Sequence, residues 1–271
     1  TIAAHTLGCK VNQYDTQAML ELFEQAGYSV VSMDEAADVF LINTCTVTGT
    51  GDKKSLQLIR KVRRDFPASR LIVCGCLAQY RGEELLSLGA DLVLGTQRRG
   101  EAVTLLERVE STGEKLCAVA PLEKNQPFEC LTVSRQNGHT RAVLKIQEGC
   151  GNRCSYCIIP TVRGPIRSRP LKDIEKEARR LLEAGYFEIV LTGIHLCSYG
   201  QDLAENASLL TVIQSLQQID GLRRIRLGSL EPTVATPAFA RELEKAEASG
   251  VNLLGSDMDE FQLCWKIKEQ L

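Results

Sequence analysis

The chain has 271 residues, 44% of them hydrophobic, enough to bury the cores of about two domains. A net charge of −2 and a pI of about 6.0 exclude a global basic field, so a nucleic-acid partner must be met by local patches, and 5% aromatic content argues against an extended base-stacking platform. The 11 cysteines come with no basic-then-apolar leader at residues 1–5 and no apolar run long enough to cross a bilayer; this predicts a cytoplasmic, non-membrane protein whose thiols serve metal or catalysis rather than a disulfide scaffold.

Strand and helix patterns alternate from the start. Residues 2–7 read as a strand ending at Gly8-Cys9. Residues 13–25 read as a helix with Met19, Leu22, Phe23 and Ala26 on one face and Gly27 as its stop. The continuous apolar run Val39-Phe40-Leu41-Ile42 has the character of a strand buried on both faces and ends at Asn43-Thr44-Cys45. A helix is predicted over residues 51–65, and a third buried strand, Leu71-Ile72-Val73, ends at Cys74-Gly75-Cys76. Leu92-Val93-Leu94 and a helix over residues 100–109 close an open parallel α/β sheet domain spanning 1–113. Ligands of such sheets bind beyond the carboxyl ends of the strands. Topology therefore brings Cys9, Cys45 and Cys76 to one rim.

Residues 114–139 lack periodicity, carry Pro121, Pro127, Asn137 and Gly138, and read as a connector with one short strand. A second series follows over 140–271. It has a strand at 143–146, a helix at 173–184, a strand at 187–191, a helix at 209–217 and a strand at 224–227, with a helical pattern at 233–250. Successive βα units predict a partial (β/α) barrel.

Cys150, Cys154 and Cys157 form a CxxxCxxC loop just past the strand at 143–146. Three thiolates can hold three irons of a cubane cluster and leave the fourth open for a small molecule. Gly149 and Gly151 allow a tight bend, Pro160 and Pro165 oppose a long helix, and Tyr156 is placed to cover the cluster or a bound nucleoside. The alternative is structural zinc, with His139, Cys130 or His195 as fourth ligand. Two basic runs stand out: Lys53, Lys54, Arg60, Lys61, Arg63 and Arg64 on the second helix, and Arg163, Arg167 and Arg169 beyond the cysteine loop. The second run is the stronger candidate for RNA phosphates, because it borders the cysteine loop. Cys117, Cys130, Cys197 and Cys264 have no motif partner.

The loop resembles the signature of the radical S-adenosylmethionine superfamily. The segments Lys145-Ile-Gln-Glu-Gly-Cys150, Cys157-Ile-Ile-Pro-Thr-Val-Arg-Gly164, Glu188-Ile-Val-Leu-Thr-Gly-Ile-His195 and Arg226-Leu-Gly-Ser-Leu-Glu-Pro232 are similar to the methylthiotransferase family. So are Thr6-Leu-Gly-Cys9-Lys-Val-Asn12, Asn43-Thr-Cys45-Thr-Val-Thr48 and Cys74-Gly-Cys76-Leu-Ala-Gln79. The Gly-Cys-Lys-Val-Asn form, with Gly51-Asp-Lys-Lys-Ser55, is similar to the branch acting on N6-threonylcarbamoyladenosine at position 37 of tRNA. The sister branches act on isopentenyladenosine in tRNA or on a ribosomal-protein aspartate.

The resemblance implies two [4Fe–4S] clusters, one on Cys9, Cys45 and Cys76 and one on Cys150, Cys154 and Cys157, with Cys76 preferred over Cys74. It implies S-adenosyl-L-methionine at the open iron of the second cluster and cleavage of its sulfonium bond by one electron. Hydrogen is then taken from C2 of adenine, and a methylated sulfur is delivered from the first cluster. Both clusters are expected in a dry cavity. Gly193 and Glu231 are cofactor-binding candidates, the latter toward ribose or amine. No catalytic side chain is assigned, and Asn12 and Asn43 are expected to brace the cysteine loops. The implied partners are the tRNA anticodon loop and an electron donor such as flavodoxin or ferredoxin; oligomeric state carries no sequence signal. The family continues past residue 271, so the chain reads as C-terminally truncated, and residues 251–271 depart from the family pattern.

Overall fold

The computed structural model describes residues 1–135, 140–203, 207–228, 230–231, 236–237, 239–241, 245 and 251–255. It divides into two compact units, one of Thr1–Lys124 with Asn152–Gly164 and one of Asn125–Gly151 with Pro165–Leu271. Among the described residues no helix is long and apolar enough to cross a membrane.

The first unit runs β1 (Ile2–Thr6), α1 (Lys10–Gln25), β2 (Val30–Val31), β3 (Val39–Thr44), α2 (Gly49–Asp65), β4 (Arg70–Gly75), α3 (Cys76–Arg81), α4 (Glu84–Ser87), β5 (Leu92–Val93), α5 (Ala102–Thr112) and β6 (Leu116–Cys117). Its six strands pair in parallel in the order β2-β1-β3-β4-β5-β6. Alternate residues of β3 explain its unbroken apolar run. Val39 and Leu41 pack with Met19 and Phe23 of α1 and Leu106 of α5, while Phe40 and Ile42 pack on the other face with Ile59 and Val62 of α2. Both faces are covered, so no position on β3 has a reason to be polar until the strand reaches its rim.

Several boundaries differ from the sequence expectation. Helix α1 begins at Lys10, directly after Cys9, rather than at residue 13. The connector's short strand is β6; it pairs in parallel with β5 and so extends the first sheet past residue 113. The two-residue β2 is too short to leave a periodic signal.

The second unit has β7 (Ala142–Glu148); then, after the segment 152–164 with its short helix α6 (Ile159–Arg163), come β8 (Arg167–Ser168), α7 (Leu171–Glu183), β9 (Glu188–Gly193), α8 (Leu209–Gln217), β10 (Arg224–Leu227) and β11 (Asn252–Gly255). The sheet order is β11-β10-β9-β7-β8, parallel except for β8, which runs against the end of β7. Helices α7 and α8 bury Ile174, Ala178 and Leu181, and Val212, Ile213 and Leu216, against Leu144, Ile146, Ile189, Leu191 and Ile225. This is the partial (β/α) barrel expected from the alternation. Strand β11 continues the sheet in parallel with β10. Most of residues 233–250, and all of 256–271 with Cys264, lie outside the described residues, as does His139.

Candidate metal centre

The order β2-β1-β3 makes the gap between β1 and β3 a topological switch point, the place where an open α/β sheet offers a crevice at its carboxyl edge. Cys9 follows β1 and Cys45 follows β3, so two thiols flank that gap; Cys76 opens α3 directly after the next strand, β4. Cys9 is exposed, Cys45 half-buried and Cys76 buried. A Cβ at Gly8 would stand 3.0 Å from Cys45 Sγ, so the backbone beside Cys9 approaches the second thiol as closely as glycine allows.

Polar side chains brace this rim. Asn12 Nδ2 donates to Leu7 O at 2.7 Å and Thr44 O at 3.0 Å. Asn43 Nδ2 donates to Asn12 O and to Thr16 Oγ1, both at 3.0 Å. Ser55 Oγ donates to Cys45 O at 3.0 Å and accepts from Cys45 N–H at 3.2 Å. Gly75 has φ +92°, and a Cβ there would fall 2.3 Å from Asn43 Oδ1 and 2.6 Å from Thr44 O, so only glycine fits between the strand and Cys76.

Cys74 and Cys76 differ sharply in environment. Cys74 points into the core, 4.0 Å from Met19 Sδ, and burial pushes its thiol up to about 12. Burial also pushes the Cys76 thiol up, but the Arg163 guanidinium opposes the shift, and Cys9 and Cys45 are near enough to add to it electrostatically. Arg163 Nε donates to Cys76 Sγ at 3.1 Å. Arg99 and Arg163 act on Cys74 at longer range as well, but Cys76 is the one of the two that accepts a hydrogen bond from a guanidinium.

The CxxxCxxC loop carries the chain from the second unit into the first, Cys150 belonging to one and Cys154 and Cys157 to the other. Gly149 takes the left-handed conformation, φ +73°, that starts the turn after β7. Cys157 N–H donates to Cys154 O at 3.0 Å. Cys154 is exposed, Cys150 and Cys157 are half-buried, and Tyr156 is 90% exposed. The ten described cysteines are all outside disulfides.

At the end of β7 in the second unit, Gln147 organises the rim. Its Nε2 donates to Glu148 O and Gly149 O at 2.9 and 2.7 Å, and its Oε1 accepts from His195 N–H at 2.8 Å. A Cβ on Gly193 would lie 2.8 Å from Gln147 Cβ, so packing against Gln147 already requires this glycine. His195 Nε2 and Glu231 Oε1 approach to 2.9 Å, a charge pair once the imidazole is protonated, though not aligned as a hydrogen bond. Glu231 N–H donates to Cys197 Sγ at 3.2 Å. Lys145 and Glu148, both buried, form an ion pair beneath this rim; three polar residues in a seven-residue buried strand were the one sequence signal for it.

The arginines expected to meet RNA phosphates are corrected by their burial. Arg163, Arg167 and Arg169 are 0%, 3% and 1% exposed. Arg163 is held by Cys76, Asn12 and Asp15, and Arg169 pairs with Glu177 at 2.5 Å. A phosphate from solvent cannot reach these groups. Of the helical run, Arg63 caps the turn at Gly89 and pairs with Asp91 at 2.5 Å, leaving Lys53, Lys54, Arg60, Lys61 and Arg64 on the exposed face of α2. Of the fourth ligands named for the zinc alternative, Cys130 donates to Asp173 at 3.5 Å and His195 faces Glu231, while His139 lies outside the described residues.

Among the described residues no three His, Cys, Asp or Glu side chains converge on a single ion position. A cubane cluster needs no such convergence, because each thiolate takes a different iron. Three rim thiols, one beside a buried cation, suit that group better than a mononuclear ion.

Residues 1–95 match the family described as Uncharacterized protein family UPF0004, and residues 144–262 match the Radical SAM superfamily, a span that takes in β11. The fold agrees: the radical S-adenosylmethionine methyltransferase TsrM of Kitasatospora setae superposes with a TM-score of 0.60 over 94% of this chain and 59% of that one, at 15% identity. The chain is thus a radical S-adenosylmethionine superfamily protein with an N-terminal α/β domain. It is 42% identical over 250 residues to the threonylcarbamoyladenosine tRNA methylthiotransferase MtaB of Bacillus subtilis, 91% of this chain and 55% of that protein. It is 38% identical over 230 residues to the Aquifex aeolicus protein of the same name, 84% of this chain and 56% of that protein. The chain belongs to the radical S-adenosylmethionine methylthiotransferase family. It spans about half the length of the curated relatives it matches.

Proposed function

We propose that the chain belongs to an enzyme that adds a methylthio group to C2 of N6-threonylcarbamoyladenosine at position 37 in the anticodon loop of tRNA. The observation that carries this reading is the 42% identity to a threonylcarbamoyladenosine tRNA methylthiotransferase over 91% of the chain.

In this reading Cys150, Cys154 and Cys157 hold one [4Fe–4S] cluster with S-adenosyl-L-methionine, and Cys9, Cys45 and Cys76 hold a second. Bound there, these groups supply a one-electron reductive cleavage and a sulfur for transfer. Gln147 fixes the turn at Gly149 and the main chain at His195, so the loop bearing Cys150 starts from a defined direction. Asn12, Asn43 and Ser55 fix the main chain on either side of Cys9 and Cys45. Glu231 is held near His195 with its carboxylate half-exposed, available to an amine or a ribose hydroxyl. Tyr156, almost wholly exposed, has a free aromatic face for a nucleoside. The exposed cations of α2 offer phosphate contacts, and an external donor such as flavodoxin or ferredoxin supplies the electron.

The test is nucleoside mass spectrometry of tRNA from a strain lacking the gene, complemented by the full-length gene carrying either the native sequence or Cys76→Ala. The native gene restores the 2-methylthio derivative of threonylcarbamoyladenosine and the variant does not. Restoration of the isopentenyladenosine derivative instead, or of a modified ribosomal protein, assigns the chain to a sister branch.

A further inference from the structure

Arg163 ends α6, in the same short segment as Cys154 and Cys157, and it is wholly buried in the first unit. A buried guanidinium is costly unless its donors are used. Its Nε donates to Cys76 Sγ at 3.1 Å, one terminal nitrogen donates to Asn12 Oδ1, and the other stands 3.5 Å from Asp15 Oδ2. The planar fork is fixed at both ends, so the Nε–H has one direction available, toward sulfur. Asn12 in turn grips the carbonyls of Leu7 and Thr44, next to Cys9 and Cys45.

We propose that Arg163 is a positioning residue that donates its Nε–H to the Cys76 thiolate and raises the reduction potential of the iron–sulfur cluster held by Cys9, Cys45 and Cys76. The proposal rests on the assignment of those three thiols as cluster ligands. A hydrogen bond and a positive charge beside a cluster sulfur favour the more negative, reduced form. The residue that tunes the first cluster thereby comes from the segment that carries two ligands of the second. Asp15 keeps its own pairing with Arg99, so loss of Arg163 does not strand a buried carboxylate.

The experiment uses the full chain with Cys150, Cys154 and Cys157 all replaced by alanine, so that one cluster assembles on anaerobic addition of iron and sulfide. In this background Arg163→Met retains about four irons per chain. Its midpoint potential falls by the equivalent of a tenfold change in the reduction equilibrium, about 59 mV for one electron. An unchanged potential with full iron loading overturns the proposal. If the methionine variant does not fold, Arg163→Leu, neutral and without any donor toward Cys76, shows the same downward shift, and its absence there is equally decisive. Cys76→Ala in the same background tests the underlying assignment separately: iron loading and potential equal to the parent's remove Cys76 as a ligand, whatever Arg163 does.

Discussion

Asn43 Nδ2 donates to the main-chain carbonyl of Asn12 at 3.0 Å, while Asn12 Nδ2 donates at 3.0 Å to the carbonyl of Thr44, the residue after Asn43. The two amides lock the start of α1 to the end of β3, and with them the loops of Cys9 and Cys45. Asn12→Ala leaves the carbonyls of Leu7 and Thr44 without this donor. The expected cost is about 2–3 kcal/mol, read as a lower urea midpoint at unchanged m-value. A loss below about 0.5 kcal/mol, the range of ordinary surface changes, would contradict the bracing role.

Gly75→Ala is expected to be worse tolerated than most glycine substitutions. It combines a positive φ with a Cβ position 2.3 Å from Asn43 Oδ1 and 2.6 Å from a backbone oxygen. Neither strand can retreat without breaking the β3–β4 ladder. Destabilisation of about 2–4 kcal/mol is expected, visible as a fall of roughly 5–10 °C in the thermal midpoint by circular dichroism.

Cys74 and Cys76 separate cleanly by iron analysis. After anaerobic reconstitution Cys74→Ala keeps about eight irons per chain and Cys76→Ala about four. Equal losses in the two variants would show that Cys74, despite its place in the core beside Met19, can reach the cluster.

Glu188 supplies a pH dependence. Burial alone would raise its carboxyl, but hydrogen bonds from Arg226 at 2.9 Å and Arg224 at 3.0 Å outweigh that and hold it below the ordinary range. A depressed carboxyl stabilises the fold above its unfolded-state value, about 4.3, and that contribution is lost as the pH falls through the lower folded value. Glu188→Gln is expected to unfold more readily than the parent at pH 7, with the difference shrinking below about pH 4. Urea midpoints measured from pH 3 to 7 check this; a constant difference across that range would refute it.

The exposed cations of α2 predict a salt effect. Replacing Lys53, Lys54, Arg60 and Lys61 with glutamine is expected to reduce the slope of log binding constant against log salt for tRNA by up to about 3. Filter binding at several salt concentrations reads it, and an unchanged slope would place the RNA on another surface. Arg163→Ala with Arg167→Ala is expected to leave that slope unchanged, because both side chains are buried.

Much of this architecture was legible in the residues. The run Val39–Ile42 announced a strand covered on both faces, and the helix at 209–217 and the strand at 224–227 fell where the periodicity put them. Short or irregular pieces were not legible. Val30–Val31, Leu116–Cys117 and Arg167–Ser168 are strands only because a neighbouring strand offers hydrogen bonds, and two residues leave no period to read.

The cysteine spacing at 150–157, and the three thiols at strand ends, followed from the sequence by itself, because loop motifs and βα alternation are local patterns. The fate of the arginines did not. Arg163, Arg167 and Arg169 look in sequence like a cationic patch waiting for phosphate, and a linear chain carries no mark of burial for a charged residue. Only the tertiary structure supplied Asp15, Asn12 and Cys76 around Arg163, from elements more than 80 residues away. Those partners offset the desolvation of the guanidinium and turn it from a surface charge into a donor to a thiol.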